Sequence, residues 1–382
     1  MTESTASAAL LKTPLNATHR RMGAKMVPFG GWDMPVEYSG IIAEHMAVRT
    51  AAGLFDVSHM GRLDIEDEQN GAPAGSALAL LQSITCNDVA KLQIGQAHYN
   101  ALLNERAGMV DDILVHKVSE RHYYLCINAA RRAQDLAWLT ANNQQAGRQG
   151  ARITNRSDET AQIALQGPRA LEILQPLTRT DLSAIRYYWF AMGEVLDIPA
   201  MIARTGYTGE DGFELYIPVG VAEGVWNALL EAGKSAGLVP AGLGCRNTLR
   251  LESAMLLYGH DMDETTTPLE SNLGWITKLD KGEFLGRSLL AAQKETGVAQ
   301  QLVGFRLIER GIARDDAPVW RDGQLVGKVT SGSYTPFLKQ SIGLARVPSA
   351  IAKVGERIEI EIRGQKVAAE MVPTPFYKRA KK

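Results

Sequence analysis

The chain has 382 residues, 45% of them hydrophobic and 22% charged, with a formal net charge of −1. That length makes two or three domains with sizeable cores, and the near-neutral balance supplies no overall field to draw in nucleic acid or an anionic membrane. No apolar run reaches membrane-spanning length, no basic leader precedes an apolar core, and Cys86, Cys126 and Cys245 are widely spaced thiols with no CxxC pair, so a cytoplasmic globular protein is expected.

After a polar leader, Thr13-Pro14 opens a Gly- and Met-rich segment over residues 22–31. Ser39 is placed to cap a helix over 40–52, with Ile41, Ile42, His45 and Met46 on one face and Gly53 as its stop. His45 reads as a packed, hydrogen-bonded core histidine. Leu54-Phe-Asp-Val-Ser-His-Met-Gly61 is a short strand breaking into a turn, and Asp56 and His59 have no third partner at metal-ligand spacing. A strand at 62–65, a helix at 75–84, a hairpin, a strand at 122–127 and a helix at 129–142 follow. This β-α-β-β-β-α order predicts an α+β lobe with an antiparallel sheet.

The hairpin pairs 99–103 with Gly108-Met-Val-Asp-Asp-Ile-Leu-Val115. Neighbouring side chains in a strand point to opposite faces, so Asp111 and Asp112 cannot both line one pocket. Each carboxylate among these apolar residues costs free energy unless it is solvated, paired or hydrogen-bonded. Either one caps the turn and the other pairs with a basic neighbour, or one is a catalytic or ligand-orienting acid. Asn128, which ends the following strand, stands where a side-chain amide meets a helix N-terminus or a ligand.

The second lobe begins with a strand at 160–165, a short helix opened by Gly167-Pro168, and a strand at 195–204 broken at Pro199. Gly206, Gly209 and Gly212 then recur every third residue between strands. That is not the dinucleotide pattern; it indicates tight turns or a close backbone approach to a ligand. In 213–217 the alternation sets Glu214 and Tyr216 on one face and Phe213 and Leu215 on the other, so Glu214 faces an open or ligand-lined side if the latter pair is core. A helix at 219–236 precedes Gly242-Leu-Gly-Cys-Arg-Asn-Thr-Leu-Arg250, which lacks a Walker lysine. A helix at 245–255 puts Arg246 and Arg250 on one face, expected to be a paired surface face. Gly259-His-Asp-Met-Asp-Glu264 resembles metal sites in composition but not in spacing, and no metal is expected. After a short helix at 287–294, strands at 302–308, 319–320, 324–330, 341–347 and 357–367 predict a small all-β barrel or sandwich, with Asp322-Gly323 as a hairpin turn.

Taken together, these stretches resemble the aminomethyltransferases, the T-proteins of the glycine cleavage system. The resemblance spans nearly the whole chain. It rests on Phe29-Gly-Gly-Trp-Asp-Met-Pro35, the 53–61 and 108–113 stretches, Thr205-Gly-Tyr-Thr-Gly-Glu-Asp-Gly-Phe-Glu214, Arg246-Asn-Thr-Leu-Arg-Leu-Glu252, Tyr258-Gly-His-Asp-Met-Asp-Glu264 and Val329-Thr-Ser-Gly332. It implies a three-domain cloverleaf, folate-binding α+β fold with a C-terminal all-β barrel. The folate-binding region would span 1–285 as two α+β lobes, one at about 55–145 and the other from the flanking segments; the barrel domain would span 286–382.

The resemblance also implies the reaction. A lipoylated H-protein delivers a sulfur-bound aminomethyl group, N5 of tetrahydrofolate attacks its carbon, ammonia leaves, and closure at N10 gives 5,10-methylenetetrahydrofolate and the dihydrolipoyl carrier. Carried over by position, Asp112 is the catalytic aspartate and Glu214 holds the pterin. Arg246, Met60, Tyr99, Asn128 and Tyr207 also belong to the folate site, and Tyr377 closes it from the barrel. Relatives on this fold include folate-dependent demethylases and non-enzymatic folate-binding proteins. The latter group carries Lys-Gly-Cys-Tyr-x-Gly-Gln where this chain has Lys281-Gly-Glu-Phe-Leu-Gly-Arg287. A basic patch around Arg131-Arg132 is expected to meet the acidic carrier.

Overall fold

The computed structural model describes residues 9–68, 75–145 and 150–380. The polar leader and the last two lysines lie outside them. The first lobe is a five-stranded antiparallel sheet ordered Ala97–Leu103, Met109–Ser119, His122–Ile127, Gly61–Asp67 and Ala151–Asn155. Helices Ser76–Ile84 and Arg132–Asn143 cover one face, where Leu63, Ile65, Leu80, Ile113, Val115, Leu125 and Leu139 are buried together. Ile113 and Val115 therefore place Asp111 on the helix-covered face and Asp112 on the other. The turn of the predicted hairpin is built by Asn104, whose side-chain oxygen accepts from the amides of Arg106 and Gly108, each at 2.9 Å. A bulge follows, since Leu102 pairs with Asp111 but Leu103 pairs with Met109.

The second lobe is a six-stranded sheet ordered Phe190–Val195, Ile198–Ala203, Gly212–Pro218, Thr160–Gln166, Ala52–Asp56 and Leu238–Pro240. Phe213, Leu215 and Ile217 pack with Trp226 and Leu229 of helix Ala222–Gly233. The opposite face carries Glu214 and Tyr216 as the alternation requires. Near the other end of this sheet, helix Leu243–Glu252 packs Cys245 and Leu249 against Val48, Phe55 and Ala164. The C-terminal region is a closed six-stranded barrel from Gln300–Leu307 to Gln365–Val372.

Three expectations are corrected. The strand foreseen at 195–204 is a hairpin, because Leu196 and Asp197 adopt φ of 56° and 60° and turn Phe190–Val195 back onto Ile198–Ala203. The strand foreseen at 357–367 is likewise two, turned at Arg363 and Gly364 with φ of 52° and 78°. Helix Ile41–Thr50 has no side-chain cap from Ser39; Glu44 reaches back to accept from the amides of Tyr38 and Ser39 at 2.6 and 2.9 Å.

The lobes and barrel are joined through buried polar contacts. Arg250, expected on the surface, is buried and donates to Asp261 and to Ser331 of the barrel, both at 2.8 Å. Asp261 also accepts from Thr330 at 2.6 Å and Ser331 at 2.8 Å, so the carboxylate of the metal-like stretch is filled by protein donors. The segment after it runs against the hairpin of the first lobe, where the amide of Met109 donates to Asp263 at 3.2 Å and to Thr266 at 3.1 Å. Only glycine fits beside this crossing, because a Cβ on Gly108 would lie 1.8 Å from the Glu264 carbonyl oxygen. Gly108→Ala is expected to cost about 1–3 kcal/mol, the usual range for overpacking, as read by thermal or urea unfolding. Unchanged stability would mean that this crossing is not fixed.

Candidate active site

Asp112 projects from the sheet face that looks toward the second lobe. On the same face His116 packs its ring edge-on to Phe190 and Tyr216 of the facing sheet, at 5.5 and 5.8 Å. Tyr124, Phe190, Met201, Ala203 and Tyr216 complete this seam. Both oxygens of Asp112 are held: Oδ2 accepts from the Tyr99 hydroxyl at 3.0 Å and Oδ1 from the Asn128 amide at 2.7 Å. The same amide nitrogen reaches Oδ1 of Asp111 at 2.9 Å, and the Asn128 backbone N–H reaches its Oδ2 at 2.9 Å. Neither aspartate caps the hairpin turn or pairs with a basic neighbour. They point to opposite faces, and Asn128, at the end of the adjacent strand, bridges the two.

Burial, and then the charge of Asp111, raise the Asp112 carboxyl to about 7, against the pull of Tyr99 and Asn128. Burial and the same Asp112 charge push Tyr99 well above its ordinary range, so its hydroxyl keeps its proton and donates. A carboxylate poised near neutrality, with its geometry fixed, is suited to accept a proton. Tyr207, whose hydroxyl is bonded to the Leu256 carbonyl, lies near this carboxylate and is pushed up by burial.

Glu214 is buried on the facing sheet. Its oxygens accept from Gln162 Nε2 at 3.2 Å and from the Thr205 hydroxyl at 2.5 Å, which leaves acceptor capacity on both. Arg246 lies with its guanidinium over the Tyr207 ring at 4.8 Å and close enough to Glu214 to feel its charge. Its buried Nη1 has no hydrogen-bond partner among the described residues. A buried donor without an acceptor is costly unless a ligand supplies one. The glycines of the 205–212 loop serve the protein rather than a ligand, since a Cβ on Gly206 would lie 1.9 Å from Gln166 Oε1. Gln166 in turn ties that loop by bonds to Thr205 and Thr208, each 3.0 Å.

Met60 packs beside the helix that carries Arg246. Tyr377 donates its hydroxyl to Glu210 at 2.7 Å, and its ring is covered by the Arg49 guanidinium at 4.0 Å; Arg49 also pairs with Glu252, on the helix that carries Arg246. Arg131 and Arg132 are not a free basic patch, because Arg131 pairs with Glu264 and Arg132 with Asp158. Two residues escaped the sequence reading. Tyr188 takes an unusual φ of 62° and feels the charges of both Glu214 and Asp112. Trp275, 61% exposed, stacks on Tyr99 with ring centroids 6.0 Å apart. The run Tyr187-Tyr188-Trp189 was the only trace of the first in the sequence.

Two sheets facing each other, each with a held carboxylate on that side, and a barrel packed against them define a three-lobed fold. Comparison with known families agrees. The GCVT N-terminal domain model matches residues 15–281, and the glycine cleavage T-protein C-terminal barrel domain model matches 300–378. The chain belongs to the glycine cleavage T-protein family. It is 52% identical over 382 residues to the aminomethyltransferase of Acidobacterium capsulatum, covering 99% of this chain and 98% of that protein. It is 49% identical over 375 residues to that of Moorella thermoacetica, covering 98% and 100%. A crystal structure of aminomethyltransferase T from Bartonella henselae superposes with a TM-score of 0.88 at 32% identity, covering 97% of this chain and 98% of that one.

The unpartnered Arg246 donor yields a prediction for the protein alone. Arg246→Met is expected to leave stability unchanged or raise it by about 1 kcal/mol, because it removes a buried donor with no acceptor. A loss of several degrees in Tm would show that the guanidinium is satisfied within the fold.

Proposed function

We propose that the chain transfers the methylene carbon of a sulfur-bound aminomethyl group, carried on the lipoyl arm of H-protein, to tetrahydrofolate. Ammonia leaves as N5 attacks, the dihydrolipoyl thiol leaves as N10 closes the ring, 5,10-methylenetetrahydrofolate is formed, and Asp112 is the proton acceptor. Membership of the T-protein family along nearly the whole chain supports the reaction. The observation that carries the assignment of its centre is Asp112, with both oxygens fixed by Tyr99 and Asn128 and its carboxyl raised to about 7.

The residues between the two sheets suit a pterin. Glu214 keeps acceptor sites for an amino group and a ring N–H side by side, and Arg246 Nη1 offers the complementary donor. Tetrahydrofolate supplies the nucleophilic nitrogens that take up the carbon. Asp112, ionised above its raised pKa, accepts the proton shed by an attacking nitrogen and stabilises positive charge developing beside it. Tyr99 and Asn128 hold that carboxylate in place, so no reorganisation is needed as charge develops. The lobes 1–285 would then form the folate-binding region and 286–382 the barrel that braces it through Arg250.

The reverse reaction tests this reading, with methylenetetrahydrofolate, ammonium and reduced lipoylated H-protein as substrates. Asp112→Asn is expected to cut turnover by about 10²–10⁴-fold, the range for lost acid–base catalysis, while folate binding by calorimetry persists. Glu214→Gln should instead weaken folate binding by about 10–100-fold, the worth of charged hydrogen bonds. Full turnover in Asp112→Asn would remove Asp112 from the chemistry, and turnover without the carrier would point to a demethylase.

A further inference from the structure

We propose that Asp135 is a positioning residue for the transfer: its carboxyl keeps a proton, donates it in a hydrogen bond to Asp111, and through Asp111 and Asn128 fixes Asp112. The inference rests on the reading that Asp112 is the proton acceptor.

Asp135 lies in the first turn of helix Arg132–Asn143, on the face of the sheet opposite Asp112. It is wholly buried, and neither of its oxygens has a hydrogen-bond donor among the described residues. Arg131 Nε approaches Oδ1 only to 3.9 Å, too far for a hydrogen bond. The group within hydrogen-bonding reach is the carboxyl of Asp111, itself wholly buried.

Two carboxylates in contact in a dry interior cannot both be charged, and one proton between them satisfies both. The donors decide where it resides. Asp111 accepts two N–H groups of Asn128, at 2.9 Å each, and so is stabilised as the anion. Asp135 accepts none and takes the proton. Burial first, and then the Asp111 charge, raise it well above the carboxylate range.

The location of the proton has consequences at the reacting face. An anionic Asp111 can only accept, so the Asn128 amide must turn its nitrogen inward, and that nitrogen then reaches Asp112 at 2.7 Å. If the proton moved to Asp111, its hydroxyl could bond to the amide oxygen instead, and a flipped amide would face Asp112 with an acceptor. The charge on Asp111 is also the second cause, after burial, of the raised Asp112 carboxyl. The other groups around Asp112 are the hydroxyls of Tyr99, Tyr188 and Tyr207, all pushed up and holding their protons. Around Asp135 they are Arg131, which is paired with Glu264, and Tyr258. None of these competes for the shared proton.

The test combines infrared spectroscopy of protein labelled with 13C-aspartate and the pH profile of the reverse reaction, using wild type, Asp135→Asn, Asp135→Leu and Asp112→Asn. A protonated carboxyl band is expected in the wild type at pH 8 and its loss in Asp135→Asn. That variant keeps an N–H for Asp111 and should retain turnover to within about threefold, with the acid limb in place. Asp135→Leu should lose at least about tenfold in kcat at unchanged folate KM, and its acid limb should move down by about one pH unit as Asp111 takes the proton and loses its charge. The absence of the band in wild type, or a wild-type acid limb in Asp135→Leu, overturns the inference while a dead Asp112→Asn leaves the parent reading standing. An active Asp112→Asn overturns both. If Asp135→Leu does not fold, the band and its loss in Asp135→Asn decide alone.

Discussion

The site depends on two aspartates in consecutive positions of one buried strand, held by a single side-chain amide. A strand sends neighbours to opposite faces, so Asp111 and Asp112 sit on either side of the sheet, Asp111 wholly buried and Asp112 half-buried. Asn128, placed where the adjacent strand ends, donates to both. Without that bridge each aspartate would keep only one donor, the Tyr99 hydroxyl for Asp112 and the Asn128 backbone N–H for Asp111. With it, one charge is set beside the other, and the Asp112 carboxyl becomes poised near neutrality.

The rest of the fold holds this strand against its counterpart. The second sheet presents Glu214 toward the seam and a helix-borne Arg246 beside it, so a pterin-sized ligand would meet an acceptor pair and a free donor opposite the poised acid. The sheets meet through Tyr124, Phe190 and Tyr216. Arg250 and Asp261 secure the barrel to the same helix that carries Arg246. Buried pairs of this kind contribute little net stability when complete but cost about 3–5 kcal/mol when one partner is removed. They fix geometry more than they add stability.

Much of this was legible in the sequence, and what was not has physical causes. The Asp111–Asp112 strand, its hairpin and the Glu214 alternation follow from period-two patterning and from the cost of burying charge. The turns at Leu196-Asp197 and Arg363-Gly364 were read through as strand because three of these four residues rarely adopt positive φ, and only pairing in the fold makes them do so. Arg250 looked like a surface residue because its partners, Asp261 and Ser331, lie 11 and 81 positions away. Asp135 carried no signal at all. A carboxylate in a polar helix turn looks solvated, and only the packing of that helix onto the sheet brings it to Asp111. Resemblance to a family supplied residue roles that local pattern could not, Tyr377 among them, whose contacts with Arg49 and Glu210 come from distant parts of the chain.

The most direct test of the account is a crystal structure of the protein with a tetrahydrofolate bound. The account predicts the pterin edge on Glu214 and Arg246 Nη1, with the reactive ring nitrogens within hydrogen-bonding reach of Asp112 and the Asn128 amide still bridging the two aspartates. A folate bound elsewhere, or bound with Asp112 turned away from those nitrogens, would contradict it.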